Sequence, residues 1–374
     1  MARVLLTGGR APATLELARM FQRAGWEVGV AESWRSTVTS LSNAASARFL
    51  VPPPRFAFED FADRLSEIAR TFVPDVLIPT CEEVFWVARA KERLEPFTRV
   101  FCPKLDVLRE LHDKGAFAVR AANVGLRIPE TRVLTSEADL DAVRGEADRL
   151  VFKPSFSRFG TSTSIRPSRN ELRHVRPSER EPWVAQAFVN GREVCAYGVA
   201  VHGRLRALAV YESRFRAGRA SIVFEAERND AVRRWVETFA SLTNAHGQLA
   251  FDFMEDARGE VWALECNPRL TSGAHLLRNV EGFVDVFLEA DGPLLEPRLG
   301  TRAALKAAML GGALWRPGGF SALVHARDVL FDLHDPLPAL AQPLLTAQIA
   351  VRALRFRTSL LAATTHDIQW DGEA

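Results

Sequence analysis

The sequence predicts an α/β protein that begins with a parallel sheet and carries a β-hairpin near residue 260. A strand, a helix and a second strand follow one another within the first 31 residues. Two apolar runs flank a short polar turn between Leu249 and Arg269. The chain has 374 residues, of which 47% are hydrophobic, so it can bury more than one core.

The first lobe is predicted from alternating strand and helix patterns. Residues 3–7 form an apolar strand that enters a Gly8-Gly9 turn, and residues 13–24 have helical spacing before a strand at 27–31. A helix at 58–72, a strand at 75–79 and a helix at 82–94 continue this pattern. Glu82 follows the carboxyl end of a strand, where ligands often bind, although acidic residues are equally expected at a helix N-terminus.

The middle of the chain alternates strands with polar loops. We expect a strand at 150–154 that carries Lys153, a small-residue loop at 155–163 and a strand at 183–189. A hairpin at 194–212 leads into a basic loop at 213–221, and an amphipathic helix follows at 230–245. Backbone N–H groups of a loop such as 155–163 can close over phosphates.

The hairpin at 249–269 concentrates polar side chains on one face. With its turn near Arg258 and Glu255 paired with Glu260, Asp252 would face Ala263. The strand period then predicts a polar face of Ala250, Asp252, Met254, Ala263, Glu265 and Asn267. The core face would hold Phe251, Phe253, Trp262, Leu264 and Cys266. Carboxylate and amide oxygens are ligands that Mg²⁺ takes together with substrate phosphates, whereas the alternative is a hydrated, solvent-facing hairpin.

The run E-C-N-P-R at 265–269, which follows D-F-M at 252–254, resembles the metal-binding end of the ATP-grasp superfamily. The likeness is closest to the carbamoyl phosphate synthetase large-subunit type. The resemblance implies that Asp252, Glu265 and Asn267 are metal ligands and that Arg269 is catalytic. It also implies ATP and Mg²⁺ or Mn²⁺ as cofactors, with two ions.

Further signatures of this superfamily occur in the expected order. Asp113-Lys114 precedes Gly125 and Pro129, and Lys153 precedes Pro154. Only five of the 48 basic residues are lysines, and two of those five stand at these positions. The resemblance implies that the ATP-binding residues are Lys114, Lys153, Ser157, Gly160, Thr161, Gln186, Ala187, Val189 and Glu193. Gln186 stands where a glutamate is common in the family.

The same resemblance implies a division into domains. Residues 1–107 would form a Rossmann-like pre-ATP-grasp domain, and residues 108–295 an ATP-grasp domain. The latter would comprise a lid and ATP-binding subdomain at 108–189 and a metal and catalytic subdomain at 190–295. Residues 296–374, where the resemblance fades, would be a C-terminal extension.

The expected activity is that of an ADP-forming ligase that activates a carboxylate as an acyl phosphate for attack by an amine. Two alternatives remain, a bicarbonate-activating carboxylase or carbamoyl-type enzyme and a non-catalytic nucleotide sensor. Glu82, Arg214, Arg219 and His275 are candidate substrate residues. The partners would be a small carboxylate and an amine, and a homodimer is compatible with the resemblance.

Composition argues against several other classes of protein. The net charge of +2 and the lack of a concentrated basic stripe do not favour a nucleic-acid binder. No apolar run is long enough for a membrane span, and the first residues lack a secretory signal pattern, so a cytoplasmic location is expected. Cys81, Cys102, Cys195 and Cys266 are scattered, which is typical of buried reduced thiols.

Overall fold

The computed structural model describes residues 1–157, 162–217, 220–309 and 315–372, except for the side chains of 213, 214, 217 and 220. The first part of the chain is a parallel sheet in the order β3-β2-β1-β4-β5, with helices packed on it. Its strands are β1 Arg3–Thr7, β2 Glu27–Glu32, β3 Ala47–Leu50, β4 Val76–Ile78 and β5 Arg99–Val100. Its helices are α1 Pro12–Arg23, α2 Phe58–Phe72, α3 Val84–Arg89 and α4 Lys91–Leu94. The predicted parallel-sheet lobe is therefore confirmed.

One detail of this lobe differs from the prediction, and another gives a physical reason for the predicted Gly8-Gly9 turn. The region predicted as one helix at 82–94 is two short helices, because the backbone turns at Ala90 between α3 and α4. Gly8 has a φ of +70°, and a Cβ there would lie 2.7 Å from Glu83 Oε1. The glycine after β1 is therefore required by a tight turn that packs against a buried carboxylate.

A second, antiparallel sheet follows in the order β6-β9-β7-β8. Its strands are β6 Thr131–Leu134, β7 Leu150–Pro154, β8 Ser164–Ile165 and β9 Trp183–Ala187. The helices of this region are α5 Leu105–His112, α6 Lys114–Asn123 and α7 Glu137–Val143. Asp113 caps α6 by accepting hydrogen bonds from the backbone N–H groups of Gly115 and Ala116 at 2.8 and 3.0 Å. This cap fixes the position of Lys114 at the first turn.

The largest described sheet has the order β14-β13-β10-β11-β12-β15-β16. Its strands are β10 Arg192–Val201, β11 Arg204–Ala217, β12 Ala220–Ala226, β13 Gly247–Glu255, β14 Val261–Asn267, β15 Arg302–Ala304 and β16 Arg327–Asp328. Helix α8, Asp230–Leu242, covers one face. The basic segment at 213–221 was predicted as a loop, which is wrong, since residues up to 217 and from 220 onwards belong to paired strands.

The C-terminal part packs back onto the rest of the molecule. It contains α9 Lys306–Met309, α10 Gly319–His325, α11 Leu337–Leu340, α12 Gln342–Phe356 and α13 Leu360–Ala363. Trp370 is buried against Phe85 and Trp86 of α3. Within the described residues, no helix is both long and apolar enough to span a membrane.

Asp367 attaches the C-terminal segment to the first lobe through a buried ion pair. Its carboxylate accepts hydrogen bonds from Arg10 Nη1 at 2.5 Å, Ser33 Oγ at 2.6 Å and Trp34 Nε1 at 2.9 Å. Burial alone would raise the pKa of Asp367, but Arg10 and these donors hold that pKa at about 2. The ionised carboxylate therefore stabilises the folded state at neutral pH.

We predict that Asp367→Asn lowers the free energy of unfolding by about 2 kcal/mol at pH 7, as expected for a pKa depressed by nearly two units. Because the folded-state pKa lies below the unfolded one, the wild-type advantage should be complete above about pH 4 and disappear toward pH 2. Urea unfolding at several pH values measures this difference. Asp371→Asn, at an exposed position of the same segment, is the matched control. Equal stabilities of the Asp367 and Asp371 variants would refute the prediction.

Candidate active site

A β-bulge in the β13–β14 hairpin determines which side chains face the cleft. Asp252 pairs with Glu265 and Phe253 pairs with Ala263, so Leu264 is an extra residue in β14. The predicted register, in which Glu255 pairs with Glu260 and Asp252 faces Ala263, is wrong, because a regular two-residue period cannot anticipate this bulge.

The bulge nevertheless brings the predicted acids together. Asp252 lies directly opposite Glu265, and Ala250 lies opposite Asn267. Ala263 belongs to the core with Phe251, Phe253 and Cys266, whereas Trp262 and Leu264 are half-buried outside it. The predicted assignments of Ala263, Trp262 and Leu264 to the two faces are therefore wrong, and those of Asp252, Glu265 and Asn267 agree with the structure.

Two lysines from different elements approach this hairpin. Lys114 Nζ lies 3.5 Å from Glu265 Oε2 and donates to the Ser157 carbonyl at 3.1 Å. Lys153, in β7, points its Nζ toward the carbonyl of Leu264 at 3.4 Å. Both side chains are buried. Burial lowers the pKa of Lys153 to about 8, although Glu265 partly opposes this shift.

The carbonyl of the bulged Leu264 is also 3.5 Å from Gln186 Nε2. Gln186 is buried in β9, and its amide nitrogen donates to Thr131 Oγ1 at 3.1 Å. A bulged residue leaves the regular ladder, so its carbonyl is available to neighbouring donors. The bulge thus links the hairpin to β7 and β9 of the second sheet.

The two facing carboxylates have opposite pKa shifts. Burial would raise the pKa of Glu265, but Lys114 and Lys153 outweigh burial and hold it at about 2. Burial, followed by the charges of Glu265 and Glu193, raises the pKa of Asp252 to about 7. Lys153 and Arg216 also act on Asp252, but their charges do not outweigh burial and the neighbouring acids.

This donor set fits a hard divalent cation. Asp252, Glu265 and Asn267 offer carboxylate and amide oxygens from adjacent strands, which is the ligand chemistry of Mg²⁺ and Mn²⁺. A cation between the acids would relieve the repulsion that raises the pKa of Asp252.

Arg269 joins the hairpin to the first lobe. Its Nε donates to Glu82 Oε1 at 2.9 Å, and its Nη2 lies 3.4 Å from Asn267 Oδ1. Glu82 stands just before α3 and is almost fully buried. The structure therefore brings two of the predicted site residues from distant parts of the chain into one ion pair.

A cavity of about 220 Å³ opens beside these groups. Asp252, Asn267 and Arg269 line one side of it, and Glu193 and Cys195 line another. Tyr211, which is buried, contributes a hydroxyl-bearing ring to the wall. The sequence did not indicate Cys195 or Tyr211 as residues of the site. Alternation along β10 places Cys195 on the side of Glu193, but only the pairing of Cys195 with Asp252 brings it to the site.

Other predicted nucleotide contacts have partners within the protein. Glu193 forms an ion pair with Arg216 of β11. The backbone N–H of Ala187 donates to the Glu130 carbonyl at 2.8 Å, and Val189 lies just beyond the end of β9. Gly160, Thr161, Arg219 and the side chain of Arg214 lie outside the described residues.

His275 does not itself line the cavity, although its ring stacks on that of the lining residue Phe224 with centroids 5.9 Å apart. Its Nδ1 is 2.9 Å from Glu16 Oε2, and both side chains are buried. Arg278 and Arg327 also pair with Glu16. The structure thus places His275 in a charged cluster that attaches α1 to the segment after β14.

Comparison with known proteins identifies the middle of the chain. A profile of the ATP-grasp domain family matches residues 111–273, which include Lys114, Lys153, the hairpin and Arg269. Residues 111–273 form an ATP-grasp domain. A search of curated proteins finds no match.

Several solved structures share the fold of this chain at low sequence identity. The N5-carboxyaminoimidazole synthetase from Staphylococcus aureus complexed with ADP aligns at a TM-score of 0.64 and 14% identity, over 79% of this chain and 80% of that one. An L-amino acid ligase from Bacillus licheniformis aligns at 0.61 and 15%, over 76% and 71%. The biotin carboxylase domain of Hydrogenobacter thermophilus 2-oxoglutarate carboxylase aligns at 0.63 and 12%, over 80% and 73%. The predicted ATP-grasp fold is confirmed.

We predict that Asp252→Asn makes the metal-free protein more stable than wild type at pH 8. Because the folded-state pKa of Asp252 is raised to about 7, the ionised carboxylate destabilises the fold as pH rises above the unfolded-state pKa, and this cost is complete above pH 7. Urea unfolding in the presence of a chelator measures the change. Asp256→Asn, at the turn of the same hairpin, is the control. A less stable Asp252 variant at pH 8 would contradict the prediction.

Proposed function

We propose that this protein is an ADP-forming ligase that activates a carboxylate as an acyl phosphate for attack by an amine. The observation that carries the proposal is the convergence of Lys114 and Lys153 on Glu265, with Asp252 opposite and Arg269 beside the same cavity. The transfer of a highly charged phosphoryl group needs positive charge around it. Lysines that face a pair of cation-binding acids would supply that charge.

The lysines and the acids would bind different parts of the ATP–metal complex. Lys114 and Lys153 supply ammonium groups for the phosphates, while Asp252, Glu265 and Asn267 would hold Mg²⁺ or Mn²⁺, with two ions as the expectation. The bound metal would neutralise charge on the phosphate oxygens. Ser157, whose carbonyl already accepts from Lys114, would lie at the start of the phosphate-covering loop.

In the proposed reaction, an oxygen of the carboxylate substrate attacks the γ-phosphorus of ATP. The bond between that phosphorus and the bridging oxygen breaks, and ADP leaves. The nitrogen of the amine then attacks the acyl carbon, inorganic phosphate leaves, and the nitrogen loses a proton. Arg269 would stabilise the negative charge that develops in both steps.

Glu82 would act through Arg269. Because Glu82 Oε1 accepts from Arg269 Nε, the carboxylate orients the guanidinium toward the cavity wall that it shares with Asn267. Glu82 is therefore proposed as a positioning residue, and the amine and carboxylate would occupy the cavity itself.

The volume of the cavity bears on the substrate. The cavity of about 220 Å³ has room for an organic carboxylate as well as for bicarbonate. The structural likeness to a biotin carboxylase domain in complex with bicarbonate keeps bicarbonate activation as the second candidate.

We predict that Lys153→Ala weakens ATP affinity by at least about tenfold, and that Lys153→Arg weakens it less, because a guanidinium retains the charge but not the compact shape of an ammonium. Lys114→Ala should behave like Lys153→Ala. Nucleotide titration by calorimetry measures the affinities, and Lys104→Ala, at an exposed lysine, is the control. Unchanged affinity in both site variants would remove the lysines from the nucleotide site.

A screen of carboxylates against amines, scored by ADP release, tests the reaction. With the active carboxylate and ATP, hydroxylamine should replace the amine and yield a hydroxamate. Stimulation of ATP turnover by bicarbonate alone would instead support the carboxylase. Tight ATP binding without turnover on any pair would support a non-catalytic nucleotide sensor.

Arg269→Ala should bind ATP almost normally but lose about a hundred- to a thousandfold in turnover, because the contact is made mainly in the transition state. Arg258→Ala, at the exposed turn of the same hairpin, should retain wild-type turnover. Steady-state kinetics with the active substrate pair measure both variants. Full activity of Arg269→Ala would exclude this arginine from catalysis.

A further inference from the structure

Two histidines and a glutamate converge at the end of the largest sheet that is distant from the ATP-grasp site. His202 lies in the turn between β10 and β11, His246 directly precedes β13, and Glu289 follows a short 3₁₀ helix at Val284–Leu288. Asp252 is six residues after His246 along the strand, which corresponds to about 20 Å. The cluster is therefore separate from the acid pair of the active site.

The potential ligand atoms of the three side chains are close together. One nitrogen from each histidine and one oxygen of Glu289 lie within 4.8 Å of one another. His202 Nε2 is 3.2 Å from Glu289 Oε2, and the two imidazole rings stack with centroids 4.7 Å apart. Zinc sites place nitrogen and oxygen ligands about 2.0–2.2 Å from the metal. The three ligand atoms would therefore have to come closer together on metal binding, and His202 lies at an exposed turn.

One ring nitrogen of this cluster is buried in a way that hydrogen bonding does not explain. Nδ1 of His246 is buried and has no hydrogen-bond partner in the described part of the chain. A buried imidazole nitrogen without a donor or acceptor partner costs free energy, and a neutral imidazole is a common ligand of transition metals.

The surrounding charges limit which cations would bind. Arg99 Nε lies 4.0 Å from Glu289 Oε1, and Lys91 also acts on His246. Because these positive groups repel cations, they disfavour the binding of a cation that is held by electrostatic attraction alone. Two imidazoles and one carboxylate instead form the set that Zn²⁺ and neighbouring transition metals accept, whereas Mg²⁺ prefers oxygen ligands.

We propose that His202, His246 and Glu289 form a site for a divalent transition metal such as Zn²⁺. Three protein ligands would leave a fourth position for water or for another ligand. The metal would connect the β10–β11 turn, the segment before β13 and the segment that follows the 3₁₀ helix. This site does not depend on the proposed ligase reaction.

The test uses full-length protein without an affinity tag, in which Asp252→Asn and Glu265→Gln have been introduced to weaken metal binding at the active site. After treatment with a chelator and its removal, Zn²⁺ and Co²⁺ are titrated in the presence of millimolar Mg²⁺. We expect one equivalent of Zn²⁺ to bind and to raise the melting temperature. We also expect Co²⁺ to give the visible absorption of a low-coordinate site.

In the same background, His202→Asn and Glu289→Gln should each weaken Zn²⁺ binding at least tenfold, since even changes outside the ligand set cost about 10- to 100-fold. Asn tolerates the positive φ of residue 202, and Gln preserves the shape of Glu289, so both variants should fold. His334→Asn, at a histidine whose side chain is 98% exposed, is the matched control. Absence of Zn²⁺ binding, or binding that neither site variant weakens relative to the control, would overturn the proposal.

Discussion

The ionised carboxylate of Glu265 is the feature on which the arrangement of the site depends. A buried carboxylate is costly unless opposite charges surround it, and Lys114 and Lys153 supply those charges from two different elements. Lys153 and Arg216 also act on Asp252, directly across the strand pair, but burial and the neighbouring acids outweigh them and keep its pKa raised. The site therefore combines one acid whose charge the lysines stabilise with one whose charge a bound cation would stabilise.

The bulge at Leu264 makes this arrangement possible. It turns Ala263 into the core while Glu265 and Asn267 remain on the cleft face, and it exposes a carbonyl to Lys153 and Gln186. The apolar side of the hairpin packs against α8 through edge-on aromatic rings, those of Phe251 and Phe253 against Trp235. A rigid core face thus supports a polar face whose backbone deviates from regular pairing.

Arginine-centred ion pairs join the segments around this core. Arg269 pairs with Glu82, Arg10 with Glu32 and Asp367, and Arg19 with Asp335. Except for Arg10 and Glu32, the partners in these pairs are far apart in the sequence. Because a guanidinium donates in several directions at once, it can satisfy a carboxylate and nearby carbonyls together, as Arg19 does with Val329 and Leu330.

The sequence alone determined the parallel first lobe, because apolar strands and helical spacing alternate regularly between residues 3 and 94. Through local motifs, the sequence also determined the ATP-grasp fold and indicated that Asp252, Glu265 and Asn267 lie on the same face of one hairpin. Only the tertiary structure decided four other features. These are the bulge, the Glu82–Arg269 pair, the place of Cys195 and Tyr211 in the cavity wall, and the cluster of His202, His246 and Glu289. The bulge interrupts the regular two-residue period within one hairpin. Each of the other features depends on which distant segments pack together, and local periodicity carries no information about that pairing.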